Sequence, residues 1–395
     1  MYITKRKVKH KRTQQLDALA RESGRCYSKV VSLVRKTFKK KGFWLSKGVI
    51  QKYMRHKKYT LHSQSVQACA DSYFDCLKSF FQVRKSDPEA KPPKRTRKYF
   101  KVRWKSGAIR LKNGQLILSN GKGQDPVILE NISEKPKYVE MHFKKGHYYF
   151  ALVYKVDVPL KQETGPTVSV DMGEIHPIVS FNGERTTLYN GRFVRSIKRY
   201  REKIKTNFQA KMDRCEKRSR KWFRLLKAKR RTLEKLDAQL QDAEHKITSR
   251  FISDCQRAKA DTIVIGDLNG IRKNIKYGKK VNQKLHQWAF SRIADKVRYK
   301  AELAGIKVVS ESEAYTSQTC PKCGHRKKPS NRNYHCKHCD FKYHRDGVGA
   351  INLHRKVSGV INTPVSRDPG SPLGVRFNWH LSRLGLNPRK PAISK

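Results

Sequence analysis

Val168-Ser169-Val170-Asp171-Met172-Gly173 runs apolar residues into an acid. Such a stretch reads as a buried strand with a carboxylate at its carboxyl end, where α/β sheets collect ligands. Downstream, Ile178 to Phe181 and Arg185 to Leu188 continue as strands of an antiparallel meander. Residues 192–258 are helical. Leu226, Leu233, Leu240 and Ile247 recur every seven residues, with Leu236 and Ala243 between them, which is coiled-coil-like spacing. The basic break from Glu216 to Lys221 predicts a two-helix hairpin. Thr262 to Ile265 is another apolar strand, followed by Gly266-Asp267-Leu268-Asn269. A helix from about Val281 to Ala304, a strand from Ile306 to Ser310 and a last helix from Asp346 to about Val357 complete this half.

Upstream, residues 1–10 read as a first strand. Residues 11–86 are helical, with Leu16, Leu19, Ala20, Tyr27, Val30, Val31 and Val34, then Val66, Cys69, Ala70, Tyr73, Phe74, Leu77, Phe80 and Phe81, at helical spacing. Three prolines between Asp87 and Lys94 mark a linker. From Tyr99 to Pro159, short apolar alternations such as Ile109-Arg110-Leu111 and Leu116-Ile117-Leu118 are separated by Asn113-Gly114, Asn120-Gly121 and Lys145-Gly146. That texture predicts an antiparallel sheet or small barrel, into which the helical block is inserted. Residues 362–395, rich in Pro, Gly, Ser and basic residues, read as a disordered or RNA-associated tail.

The chain has nine cysteines. Cys26, Cys69, Cys76, Cys215 and Cys255 are scattered and read as small buried or incidental residues. The other four form two CxxC knuckles, Cys320-Pro-Lys-Cys323 and Cys336-Lys-His-Cys339, twelve residues apart. Each knuckle offers two thiolates to one tetrahedral ion, so the spacing predicts a structural zinc with no open position. His335, His338 and His344 are redundant as ligands and read as surface or nucleic-acid contacts.

The charge points to the ligand. Ninety Lys and Arg against 32 Asp and Glu give a net charge of +58 over 395 residues, which a polyanion would neutralise. Nucleic acid fits, through salt-sensitive phosphate contacts. The charge is spread over both halves of the chain, as expected of several surfaces around a large ligand. No apolar run reaches the ~18–20 residues of a membrane span, and Met1 to Arg12 is too basic for a signal peptide. Trp104 and Tyr99, among Lys98, Lys101, Arg103 and Lys105, fit either a single-strand platform or a barrel core.

Asp171 and Asp346 read two ways on composition alone. Asp346 at a helix start suits an N-cap. A two-metal phosphodiester hydrolase instead needs several acidic oxygens around ions about 3.5–4 Å apart.

Taken in order, Val168 to Gly173, Ile263 to Asn269, Tyr315-Thr-Ser-Gln-Thr-Cys320, the two knuckles and Arg345-Asp346-Gly-Val-Gly-Ala-Ile-Asn352 resemble TnpB proteins and the related Fanzor and type V CRISPR effectors. The motifs cover residues 168–352; the N-terminal half is similar in layout more than in sequence. The resemblance implies a multidomain α/β plus β-barrel protein. Its wedge β-barrel would comprise residues 1–10 and 98–165, with a helical recognition lobe at 11–97. A RuvC nuclease domain of RNase H-like fold would span 166–315 and 346–361, with a helical lid at 192–258 and an inserted four-Cys zinc ribbon at 316–345. It further implies a transposon-encoded, RNA-guided endonuclease that cuts double-stranded DNA beside a short adjacent motif. Two Mg²⁺ ions, one Zn²⁺ and a transposon-derived guide RNA would be its cofactors, with one protein copy per RNA, in a prokaryotic cytoplasm. By the family pattern Asp171 is the first metal-binding acid and Asp346 the last. Trp288 matches a family helix motif and reads as core.

The second acid departs from the family. Most TnpB proteins carry Glu then Asp after the apolar strand, and here Gly266 stands at the Glu position. Asp267 points the other way in an extended chain. In an RNase H-like sheet, Ile306 to Ser310 lies beside Thr262 to Ile265, at the strand spacing of about 4.8 Å. A Glu at its end would reach the vacated space, and both Glu311 and Glu313 stand there. A TnpB subgroup and Fanzor proteins resemble this arrangement, and the matching residue is Glu313. Rotation of Asp267, substitution by Glu311 and an inactive, RNA-guided DNA-binding repressor remain the competing readings. A DNA-joining transposase would use the same metal chemistry without the guide-binding layout.

Overall fold

The computed structural model describes residues 1–55, 59–96, 98–144, 146–160, 164–267, 290–359 and 372–375. The chain divides into two compact units, Met1–Asp157 and Val158–Lys395. No described helix is long and apolar enough to cross a membrane.

The first unit begins with β1 (Tyr2–His10). Three helices follow: α1 (Gln14–Lys41), α2 (Lys47–Arg55) and α3 (Ser63–Arg84). Then come β2 (Val102–Lys105), β3 (Ile109–Lys112), β4 (Gln115–Leu118), β5 (Val127–Leu129), β6 (Tyr138–Lys144) and β7 (His147–Lys155). Local chemistry sets the bounds of α1. The Thr13 hydroxyl accepts from the Leu16 N–H, and Gly42, at φ 74°, closes the last turn after Lys39 to Lys41. Asn113 and Gly114 both have positive φ, the conformation a two-residue hairpin turn requires, and they join β3 to β4. β1 pairs with β7, so the helices are an insertion between the first strand and the rest. The strands form two antiparallel sheets, ordered β1-β7-β6-β2 and β3-β4-β5. Among the described residues, strand pairing leaves both sheets open. One core joins Leu16, Tyr27 and Val34 to Tyr73, Trp104 and Phe150. Trp104 is fully buried and its Nε1–H donates to the Ser119 carbonyl at 3.1 Å, so it belongs to the core and not to a stacking surface.

The second unit contains β8 (Thr167–Asp171), β9 (Ile178–Phe181), β10 (Thr186–Tyr189), α4 (Arg192–Asp213), α5 (Arg220–Arg257) and β11 (Thr262–Asp267). They are followed by α6 (Phe290–Leu303), β12 (Lys307–Ser312), β13 (Asn333–His335), β14 (Lys342–His344), α7 (Arg345–Val357) and β15 (Leu373–Val375). Its main sheet is ordered β12-β11-β8-β9-β10-β15. β12, β11 and β8 are parallel, whereas β8, β9 and β10 form the antiparallel meander. Strand β15 corrects the reading of the tail. Leu373–Val375 pairs parallel with Thr187–Tyr189, so this piece of residues 362–395 is ordered edge strand. The rest of the tail, Leu268, Asn269 and Trp288 lie outside the described residues.

The predicted helical hairpin is α4 and α5. Leu236, Leu240, Ala243 and Ile247 are buried, whereas Leu226 and Leu233 are half-buried. The heptad stripe is therefore a core face at one end and a looser helix pair at the other. Glu244, fully buried on α5, accepts from Arg292 at 2.8 Å and Lys296 at 2.9 Å, both on α6. Helix α7 lies on β8 and β9 through Ala350, Ile351, Val179 and Phe181. The Ser169 hydroxyl adds a hydrogen bond to the Ala350 carbonyl at 2.7 Å.

Candidate active site

The end of β8, the start of α7 and the segment after β12 converge on three carboxylates. Each lies against a glycine. A Cβ on Gly349 would stand 2.8 Å from Asp171 Oδ2, and one on Gly173 3.9 Å from Asp346 Oδ2. A Cβ on Gly266 would overlap the Cγ, Cδ and Oε1 of Glu313. The space over residue 266 is thus filled by a side chain that follows the neighbouring strand. Register explains the reach. Gly266 is opposite Glu311 and Asp267 opposite Ser312, so Glu313 leaves the strand just past Gly266 and folds back over it. Asp267 is exposed, and its charge adds weakly to those that raise Glu313. Glu311 is half-buried at the strand register of Gly266, but it is the Glu313 side chain that fills the space.

The electrostatics record how closely the acids sit. Burial, then the charge of Asp346, pushes Asp171 up to about 7. Burial, then the charge of Asp171, pushes Glu313 up to about 8, against the opposing backbone N–H of Met172. Glu313 Oε1 is buried with no hydrogen-bond partner among the described residues. Mutual repulsion and an orphaned carboxylate oxygen are what an acid cluster shows when its counter-charge is a cation. Hard oxygen donors suit Mg²⁺.

Asp346 behaves differently. Burial opposes its ionisation, but the His176 hydrogen bond and the Arg332 charge more than offset this and hold it down to about 2. His176 Nδ1 lies 3.0 Å and Arg332 Nη1 2.6 Å from the same Oδ2. The N-cap reading of Asp346 is therefore corrected. The cap residue is His344, without a side-chain cap bond, and Asp346 sits inside the first turn with its carboxylate turned to side chains. His344 is likewise no surface residue. It is half-buried, with its ring centroid 5.1 Å from that of His176. Sequence reasoning missed Arg332 and His176, which carry no motif. The one available signal was that His344 lies two residues before Asp346.

The four knuckle cysteines gather as expected. All four sulfurs lie within 4.8 Å of one another, with Cys320 to Cys339 at 3.6 Å and Cys323 to Cys336 at 3.5 Å. Tetrahedral zinc, at about 2.3 Å to each sulfur, sets sulfurs about 3.8 Å apart, so the donor set fits that ion. The ribbon is tied to the carboxylates. Thr316 donates its N–H and hydroxyl to the Glu313 carbonyl, and Asn352 on α7 donates to the carbonyls of Thr316 and Thr319, each at 2.7 Å. Tyr315, at φ 63°, turns the chain between Glu313 and the first knuckle. His335 pairs with Asp340 at 2.6 Å and His338 stacks on His325.

A family model described as "Cas12f1-like, TNB domain" matches residues 290–353, and one described as "Probable transposase" matches residues 151–272. A TnpB-like protein of Methanocaldococcus jannaschii is 27% identical over 238 residues, covering 57% of this chain and 84% of that one. The CRISPR-associated endodeoxyribonuclease Cas12f2 of a Micrarchaeota archaeon is 24% identical, covering 54% of this chain and 40% of its own length. In fold, the chain is similar to Cas12f1 in a Cas12f1–sgRNA–target DNA complex, with a TM-score of 0.61 at 12% identity. That likeness covers 86% of this chain and 82% of the other.

Proposed function

The chain belongs to the TnpB family, and from that premise we propose that it is a transposon-encoded, RNA-guided endonuclease that cuts double-stranded DNA next to a short adjacent motif. The observation that carries the reading is the Glu313 carboxylate lying over Gly266 beside Asp171. It gives a third acid to a site that has lost its usual one. Asp171, Glu313 and Asp346 would hold two Mg²⁺ ions. When bound, the ions supply an activated water and neutralise charge at the leaving oxygen.

The chain's own residues do the rest. The backbone N–H of Met172 favours the ionised forms of Asp171 and Glu313, against the burial that opposes them. His176 and Arg332 keep Asp346 ionised, so one full negative charge is ready at neutral pH. Burial and mutual repulsion raise the other two acids, Asp171 to about 7 and Glu313 to about 8, so both would favour a bound cation. Residues 1–10 and 98–165 are assigned as the wedge, 11–97 as the recognition lobe, and 166–315 with 346–361 as the nuclease domain. Within the latter, 192–258 form the lid and 316–345 the zinc ribbon. The guide RNA offsets much of the +58 charge in a cytoplasmic complex with one protein copy per RNA.

The test is direct. Protein purified with its RNA is given duplex DNA carrying the matching target, a library of flanking sequences and Mg²⁺. Cutting beside one flanking motif, lost in Asp171→Ala and Glu313→Ala, is the expected outcome. Intact DNA across every flank, with target binding retained, would instead identify an inactive DNA-binding repressor.

A further inference from the structure

A cavity of about 290 Å³ opens against the side chains that hold Asp346. His176, Arg332 and His344 form one wall, and Asn190 and Arg192 stand at the start of α4. The amide of Asn333 and an apolar strip of Leu188 and Val375 complete it. No acid lines it.

A cation is the first ligand to consider, because His176, His344 and Asp346 bring donor atoms within 4.8 Å of one another. Charge decides against it. Asp346 Oδ2 already receives Arg332 at 2.6 Å and His176 at 3.0 Å, and Arg345 lies 3.5 Å from Oδ1. On the cavity side of Asp346, away from the other two acids, a divalent ion would find no carboxylate among the described lining residues and would face Arg192. An anion meets the opposite balance. The Arg192 side chain makes no hydrogen bond or ion pair among the described residues. The Nδ1 of His344 is buried without a hydrogen-bond partner among the described residues. The amides offer donors and acceptors, and the apolar strip gives a non-ionic body somewhere to lie. The volume is at the small end for ligand pockets, which run from about 300 to 1,000 Å³.

We infer that this cavity seats one nucleotide of the DNA strand being cut, with its phosphate on Arg192 and Arg332 and its sugar or base against Leu188 and Val375. The inference rests on the nuclease reading. Because His176 and Arg332 line the cavity and also bond Asp346, a strand lying on the carboxylates runs its neighbouring nucleotide into this space.

Photo-crosslinking tests it without requiring turnover. The protein–RNA complex, in Ca²⁺ in place of Mg²⁺, is loaded with target DNA carrying 5-iododeoxyuridine at successive positions around the cut. One position beside the cut should cross-link to the segment around Asn190 and Arg192 or around Asn333. Arg192→Glu, which removes one charge-assisted contact, and Asn333→Trp, which fills the space, should each reduce that yield roughly tenfold. In Mg²⁺ they should raise KM more than they lower kcat. Absence of the cross-link, a yield unchanged in both variants, or the same segments captured by 4-thiouridine in the RNA would overturn the assignment. A wild type that cuts DNA but gives no cross-link sinks the nucleotide seat alone. A wild type that cross-links but never cuts in Mg²⁺ keeps the seat and sinks the nuclease reading.

Discussion

One methyl group at residue 266 should abolish the proposed DNA cleavage. Gly266 is where the TnpB family's usual glutamate would stand, so adding side chain there might be expected to help. The structure predicts the reverse for Gly266→Ala. The new Cβ would overlap the Cγ, Cδ and Oε1 of Glu313, and neither backbone nor Ala has a rotamer to yield, so the Glu313 side chain must leave. A misplacement of about 1 Å in a catalytic group costs on the order of 10²-fold, and complete loss of one charge-stabilising group about 10²–10³-fold. Single-turnover cleavage by the protein–RNA complex in Mg²⁺ should therefore fall at least ~10²-fold, with the thermal melt showing a folded protein. Glu313→Ala should fall as far, and the two changes together no further, because they remove the same carboxylate. Transposition, Gly266→Glu with Glu313→Gly, should recover much of the rate by returning a carboxylate to that space from the other strand. Asp267→Ala, at an exposed position on the other face, should cleave within about threefold of wild type. The reasoning is refuted if Gly266→Ala cleaves normally, or if Asp267→Ala alone abolishes cutting.

Three further outcomes follow from the same geometry. Glu313 is raised from its usual 4.5 to about 8, so the folded metal-free protein holds this proton more tightly than the unfolded chain. Its cost is absent below about pH 4.5, grows as pH rises towards 8, and is about 3 kcal/mol at pH 7. Glu313→Gln should raise metal-free stability by up to that amount at pH 7–8 and flatten its pH dependence; denaturation curves with an unchanged slope against pH would contradict this. Asn352→Ala removes hydrogen bonds to the carbonyls of Thr316 and Thr319 and should cost about 2 kcal/mol. It should also slow cleavage by loosening Glu313 against α7, whereas a purely structural bond would lower the melting temperature alone. The Cys320, Cys323, Cys336 and Cys339 site should yield about one zinc per chain on thiol modification. Cys336→Ser should lose that zinc and the DNA cleavage together, and a metal-free, fully active preparation would contradict the assignment.

The sequence alone determined the order and kind of the elements that build the site. The β8 strand ending in Asp171, the α4–α5 hairpin, the parallel strands on either side of α6 and the zinc knuckles are all contiguous patterns. Periodicity and CxxC spacing are local properties that the chain carries wherever it folds. The family resemblance then marked Glu313 as the replacement acid, and strand alternation disfavoured Asp267. What only the tertiary structure decided depends on residues far apart in the chain. That Glu313 lies over Gly266 follows from the β11–β12 register and from a turn through Tyr315, and that Arg332 and His176 meet on one oxygen of Asp346 follows from bringing the ribbon, the β8–β9 loop and α7 together. The pairing of Leu373–Val375 with β10 is of the same kind. These residues have no periodicity, so the open edge of the sheet, and not their own composition, makes them a strand. Asp346 itself reads in sequence as a helix cap, and becomes the most acidic of the three carboxylates only because the fold delivers a guanidinium and an imidazole to it.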